Sequence, residues 1–352
     1  MKHQTLALLL PYILAVVTGC GSPSRTKGSA VLENVTSTNA AQDREPIRST
    51  GWSSAGKTAA VRTALSLFDR NMNAVIAVDI AAIAKSQLYD EYRPFIDNKL
   101  FAVDGDLQAL RELRDACGFH PLTEVETIVL GGTANEDLKF EDQSALFVVQ
   151  GLTRARFVQC SDAMSTRHGG ETQERGDFTR ITSRRGETRW VYWLDDNTMA
   201  LAPKWDREDW RARLRDGSDQ RGHPDLLDIL QKIEQDSALW IAFRPTGGLN
   251  IPRGTPLALP DITYTATYGW VQLDDGVQMR AAMRTGNEEH ARALNEVMVK
   301  KVDEARPMFE MIGMGQAARK IVLDSAEADV SLSLSLTMDE VKQLVQIMKD
   351  FT

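Results

Sequence analysis

Residues 330–336 read Val-Ser-Leu-Ser-Leu-Ser-Leu, so Val330, Leu332, Leu334 and Leu336 alternate with serine. A period of two puts the four apolar side chains on one side of an extended chain and the serines on the other. This is a strand with one face for a core and one for a polar surrounding, the mark of an antiparallel sheet. Just upstream, residues 262–273 and 277–285 form an expected hairpin around Asp274-Asp275-Gly276. Further strands are expected at 74–79, 124–133, 144–150, 177–183, 188–194, 197–202, 239–243 and 320–325, with Asp195-Asp196-Asn197 as a turn.

Between the strands the period changes to that of a helix. Ala291, Leu294, Met298, Val302 and Ala305 form one stripe of a long helix that Asn287 caps and that reaches about Arg306. Helices are also expected at 59–70, 80–97, 104–116, 153–168, 205–214 and 224–235. Thr337 starts a last one, with Glu340 placed to complete a capping box. Hairpins outnumber obligatory crossovers. The expected class is therefore α+β: two similar lobes of mainly antiparallel sheet, each with helices packed on one face. The lobes are expected over 59–235 and 236–352. Their matching element order, over 72–215 and 236–352, points to a structural duplication, although residue identity between the halves is weak.

Of the 352 residues 43% are hydrophobic and 26% charged, which excludes a wholly disordered chain and a polytopic membrane protein. A formal net charge of -8 argues against a general nucleic-acid binder. The start of the chain is different in kind. Met1-Lys2-His3 is weakly basic, residues 6–17 are mostly apolar, and Thr18-Gly19-Cys20 follows. The apolar run is too short to span a bilayer, which takes about 20 residues, and fits a secretory signal peptide over 1–19.

Val17-Thr18-Gly19-Cys20 resembles the lipobox of bacterial lipoproteins. The resemblance covers only these first twenty residues. It implies that Cys20 is acylated, that the preceding peptide is removed, and that the protein is held to a membrane by lipid. Acyl chains contribute about 0.8 kcal/mol per buried methylene, and more than one chain is needed for stable anchoring. Gly21, where an Asp would imply inner-membrane retention, leans the expectation to the outer membrane, with the body facing the periplasm. Residues 20–58, rich in Ser, Thr, Gly, Asn and Ala, read as a tether reaching roughly 35 Å.

Inside this tether, Gly51-Trp52-Ser53-Ser54-Ala55-Gly56-Lys57-Thr58 matches the P-loop pattern. A working P-loop needs a buried strand before it. Residues 43–50 make a poor strand, and an exported site lacks ATP, so Gly51 to Thr58 is expected to be a chance match. Besides Cys20 there are Cys117 and Cys160. An oxidising compartment permits a bridge between them, and closing that loop is worth roughly 4 kcal/mol; two free buried thiols are the alternative. His120, His168, His223 and His290 fall in no metal-ligand spacing and are expected to be surface or structural residues. No nucleophile elbow is present, and no cofactor or metal is expected.

Pro307-Met308-Phe309-Glu310-Met311-Ile312-Gly313-Met314-Gly315 concentrates Met308, Phe309, Met311, Ile312 and Met314 between a helix and a strand. Such residues either pack beneath the sheet, the simpler expectation, or form an adaptable hydrophobic contact surface. Trp190 and Trp193 are an odd number apart and belong on opposite faces of one strand. Residues 249–260, with Pro252, Pro256 and Pro260, read as a long loop that could edge a pocket or partner site. The body loosely resembles bacterial lipoproteins that carry a Cys-Gly-Phe-x-Pro-Leu segment, here Cys117-Gly118-Phe119-His120-Pro121-Leu122; this resemblance implies no activity. The functional expectation is a noncatalytic, membrane-anchored envelope lipoprotein that binds a protein partner or a lipophilic ligand, with an exported hydrolase as the alternative.

Overall fold

The computed structural model describes residues 59–68, 71–100, 108–135, 140–141, 144–216, 224–245 and 263–350. The signal peptide, Cys20, the tether, the P-loop-like segment and the loop at 249–260 lie outside the described residues.

The chain begins with α1 (Ala59–Leu67), β1 (Ala74–Asp79), α2 (Ile80–Lys85), α3 (Gln87–Leu100), α4 (Gln108–Cys117) and α5 (Pro121–Glu124). Then come β2 (Thr127–Gly132), β3 (Leu146–Gln150), α6 (Arg154–His168), β4 (Glu171–Arg175), β5 (Phe178–Thr182), β6 (Thr188–Asp195), β7 (Thr198–Leu201) and α7 (Arg207–Asp216). The second half is α8 (Pro224–Gln231), β8 (Leu239–Phe243), β9 (Tyr264–Gln272), β10 (Gly276–Thr285), α9 (Glu288–Met311), α10 (Gly315–Arg319), β11 (Val322–Ala326), β12 (Asp329–Thr337) and α11 (Met338–Asp350). Several ends are set by side chains. Asp79 accepts from the Ala82 N–H at 2.7 Å, Asn287 from His290 at 2.8 Å, and Glu340 from Thr337 at 2.8 Å.

The strands form one 12-stranded sheet in the order β11-β12-β10-β9-β8-β1-β2-β3-β7-β6-β5-β4, and the pairings are antiparallel. The expected α+β class with an antiparallel sheet is what forms. The two halves do not hold separate sheets: β1 pairs with β8, Ala77 opposite Trp240, across the expected lobe boundary at 235/236. Counted outward from that pair, β1-β2-β3-β7-β6 mirrors β8-β9-β10-β12-β11. This repeated order supports the duplication. The first half adds the β4–β5 hairpin outside it.

The helices, expected on one face, are divided between both. Alternate residues of the central strands explain why. Ile76, Val78, Ile128, Leu130, Phe147 and Val149 pack on a first face against α4 and α6, through Leu113, Phe157, Cys160 and Met164. Val75, Ala77, Val129, Val148 and Trp240 pack on the second face against α1, α7 and α8, through Leu65, Trp210 and Ile229. Strands buried on both faces need apolar residues at every position, and β1 (Ala-Val-Ile-Ala-Val-Asp) has almost no polar break. Each large apolar side chain so buried contributes about 1.5–3 kcal/mol. As expected, Trp193 packs on the first face and Trp190 against the second.

Toward β11 the layers change. The alternating β12 turns Val330 to α9 and Leu334 and Leu336 to α11, all on the first face. No helix among the described residues is long and apolar enough to cross a membrane.

Close packing makes one glycine diagnostic. A Cβ at Gly131 in β2 would stand 2.4 Å from the ring carbons of Phe68, which is 2% exposed. Gly131→Ala must displace that ring and α1 with it. The expected cost is about 1–3 kcal/mol in a denaturant unfolding series, with Gly176→Ala, where a Cβ meets nothing within 4 Å, costing less despite its left-handed φ.

Candidate functional site

Three places gather residues of chemical interest. The first is a cleft of about 610 Å³ at the end of the second half, lined by Asp228, Lys232, Arg244, Thr265, Arg284 and Glu327 among others. At its base is Asp329, 7% exposed. Arg284 lies opposite Asp329 in the β10–β12 register and grips it with two hydrogen bonds, Nε to Oδ1 at 2.9 Å and Nη2 to Oδ2 at 3.2 Å. Arg284 also donates to Asp228 of α8. Lys232, beyond the end of α8, donates to Asp329 at 2.7 Å and to Glu327 at 3.2 Å.

This network fixes the protonation of its members. Burial alone would push the Asp329 carboxyl up, but the hydrogen bonds and charges of Arg284 and Lys232 outweigh it and hold it below its ordinary value. The hydrogen bond to Asp329, partly opposed by burial, raises Arg284. For Lys232, burial acts downward, and the bonds to Asp329 and Glu327 reverse it. Burial, with the Asp329 charge beside it, also raises the Tyr268 phenol. Asp329 thus stays ionised and both cations stay protonated through neutral pH. A carboxylate so held is a poor proton carrier. The cluster acts as a lock between α8 and the β10–β12 pair.

The second place is the cysteine pair. Cys117, at the end of α4, is bonded to Cys160 in α6, with Cα atoms 5.3 Å apart. The neighbouring segment reinforces this staple. Gly118 turns the chain with a φ of 70°, Phe119 enters the first-face core at 8% exposure, and Pro121 opens α5. Glu124 of α5 then accepts from Arg156 of α6 at 2.6 Å and 3.2 Å and from the His120 backbone N–H at 2.9 Å. Burial raises the Glu124 carboxyl, and the Arg156 bond reverses that. The Cys-Gly-Phe-x-Pro-Leu segment is therefore an anchor tying α4, α5 and α6 together. His120 faces Asp97 at 3.6 Å and His168 faces Glu112 at 3.3 Å, each with a carboxylate partner, whereas His223 lies outside the described residues.

The third place is the end of α9. The helix does not stop near Arg306 but runs through Pro307 to Met311. Proline removes one intrahelical hydrogen bond, to the carbonyl four residues back. Asp303, which carries that carbonyl, is exposed, so water can take the place of the missing donor. The expected burial beneath the sheet does not occur: Met308 is 52% exposed and Met311 82%, while Phe309, Ile312 and Met314 are half-buried. The stripe explains it, because Ala291 and Leu294 are buried but Met298, Val302, Ala305 and Phe309 are only partly covered. The sheet support thins as α9 passes over the edge strand.

The cleft was not anticipated from sequence, since Asp228, Arg284 and Asp329 are distant along the chain. The Arg284–Asp329 cross-strand pair follows once the β10–β12 register is known.

No protein-family model and no curated protein matches the chain. Among solved structures, one titled "Structure of crystal form I of TP0453" is similar over 80% of this chain and 95% of that chain, with 10% sequence identity and a TM-score of 0.44.

The lock yields a pH prediction. The folded pKa of Asp329 lies below the unfolded value of about 3.9, so its contribution is complete above that value and is lost as pH falls through the folded one. Asp329→Asn should cost about 3 kcal/mol at neutral pH, because Arg284 and Lys232 lose their shared anion. The gap between wild type and variant in urea melts should narrow as the pH drops below about 4. A gap that stays constant into strong acid would contradict this account.

Proposed function

We propose that this chain is a noncatalytic protein of the bacterial cell envelope, held to a membrane by acyl chains on Cys20 and binding a partner through the apolar end of α9. The observation that carries the binding role is the exposure of Met308 and Met311, at 52% and 82%. Methionine at an exposed helix end offers a flexible, polarisable surface suited to another apolar surface. Both side chains lie on an open helix end rather than in an enclosed space, which favours a protein partner over carriage of a lipophilic ligand. The Cys117–Cys160 bond supports an oxidising compartment, and the lipobox-like Val17-Thr18-Gly19-Cys20 supports lipid attachment. Gly21 leans the reading to the outer membrane, with the body in the periplasm.

The alternative, an exported hydrolase, would draw on the carboxylates Asp228, Glu327 and Asp329 around the charged cleft. Their engagement by Arg284 and Lys232 favours a structural role.

Two measurements test the reading. In an exporting bacterium the chain should take up labelled palmitate and sediment with membranes, and Cys20→Ser should abolish both. Photo-crosslinking from position 311 should capture a discrete envelope protein, and Met311→Asp should weaken that complex about tenfold. A lipid-sized mass on the purified chain in native mass spectrometry, lost in Met311→Asp, would replace the protein partner with a lipid one. Crosslinking and mass spectra that both ignore position 311 would refute the assignment of this surface.

A further inference from the structure

At the opposite end of the sheet lies a cluster that neither the fold nor the α9 surface explains. Arg207 opens α7, and its guanidinium lies over two rings at once, 5.6 Å from the centroid of Phe178 and 5.7 Å from that of Trp190. It makes no ion pair among the described residues, and its Nε is buried without a hydrogen-bond partner. Stacking on aromatic faces is favourable, but a desolvated cation without an anion is costly. Burial, with the like charges of Arg211 and Arg175 close by, pushes the guanidinium down from its ordinary value.

Nearby acids are already committed. Glu208 is bound by Arg211. Asp206 accepts from the Glu208 and Asp209 N–H groups at 2.8 Å and 2.9 Å, and Asp209 accepts from the Asp206 N–H at 2.8 Å, so both cap the start of α7. Arg175, in the edge strand β4, donates among the described residues to the neutral Gln173, at 2.8 Å and 3.2 Å. The contrast with Arg284, saturated by two carboxylates, is direct. Arg175 lies opposite Phe178 in the β4–β5 register, and Arg211 stands one turn beyond Arg207 on α7, so three guanidinium groups from two elements gather around the rings of Phe178 and the half-buried Trp190.

We propose that Arg175, Arg207 and Arg211 form a binding site for a phosphate-type anion, with Trp190 as its apolar wall. Guanidinium forks match phosphate oxygens in geometry, and a phosphate supplies the acceptors that Arg207 lacks. The same chemistry is offered by free phosphate and by an anionic phospholipid headgroup, where a half-buried tryptophan also suits the interface. The proposal is independent of the α9 surface.

The test uses the full chain carrying Cys20→Ser, so that no acyl chain contributes. Inorganic phosphate is titrated while tryptophan fluorescence is followed. Separately, flotation is measured with vesicles of phosphatidylcholine alone and of phosphatidylcholine with phosphatidylglycerol. Binding of phosphate alone assigns the site to a small anion. Binding of the phosphatidylglycerol vesicles but not the neutral ones assigns it to a headgroup. In either case Arg207→Gln and Arg175→Gln should each weaken binding about fivefold, and added salt should do the same. Arg175→Gln leaves the Arg207 stack in place, so its effect is not a folding artefact. Arg292→Gln on the exposed side of α9 should change nothing. If wild type binds neither probe, or if both cluster variants bind as wild type does, the proposal is overturned.

Discussion

The antiparallel seam between β1 and β8 is the contact on which the rest of the molecule depends. Ala74 to Val78 lie against Phe243 to Leu239, and the two halves of the chain become one sheet there. Both strands contribute to the apolar layers on each side of the sheet. Helix α1 precedes β1 and α8 precedes β8, and both lie on the second face, joining the halves again above the seam. On the other face α6 and α9 follow β3 and β10 in the same relation. The halves then diverge: α7 closes the second face through Trp210, whereas α11 returns to the first through Val341.

Much of this order could be read from residue spacing. The serine-leucine alternation of β12, the hairpin at Gly276 and the caps at Asn287 and Thr337 each have a local cause that survives in the folded chain. Edge strand β4 escaped because Glu-Thr-Gln-Glu-Arg has no apolar period; it is held by backbone pairing to β5. The seam escaped for a related reason, since a backbone ladder between distant strands leaves no mark on composition. Coverage of both faces did leave a mark. The unbroken apolar runs of β1 and β3 are what two-sided burial requires.

The charged sites were the least legible. The Asp329 lock needs a register, and the Arg207 stack needs α7 laid over β5 and β6; neither is a property of a short sequence window. The cysteine segment was legible as a pattern but not as a purpose. Its glycine and proline, with Glu124 two residues beyond it, prove to be parts of a helix anchor around one disulfide. The two sheet edges are likewise protected by different means. Edge strand β4 carries Glu171, Glu174 and Arg175, charges that discourage further strand addition, while β11 has α9 packed along it.

The seam also dictates a timetable. Residue 77 cannot complete its pairing until residue 240 has left the ribosome and reached it, so most of the polypeptide must exist before the central strand is enclosed. Long-range pairing of this kind is slow to form and leaves apolar strands open in the interval. Under the export proposed for this chain, that delay would be an asset. A body whose middle waits for its far half would stay threadable until that half arrives.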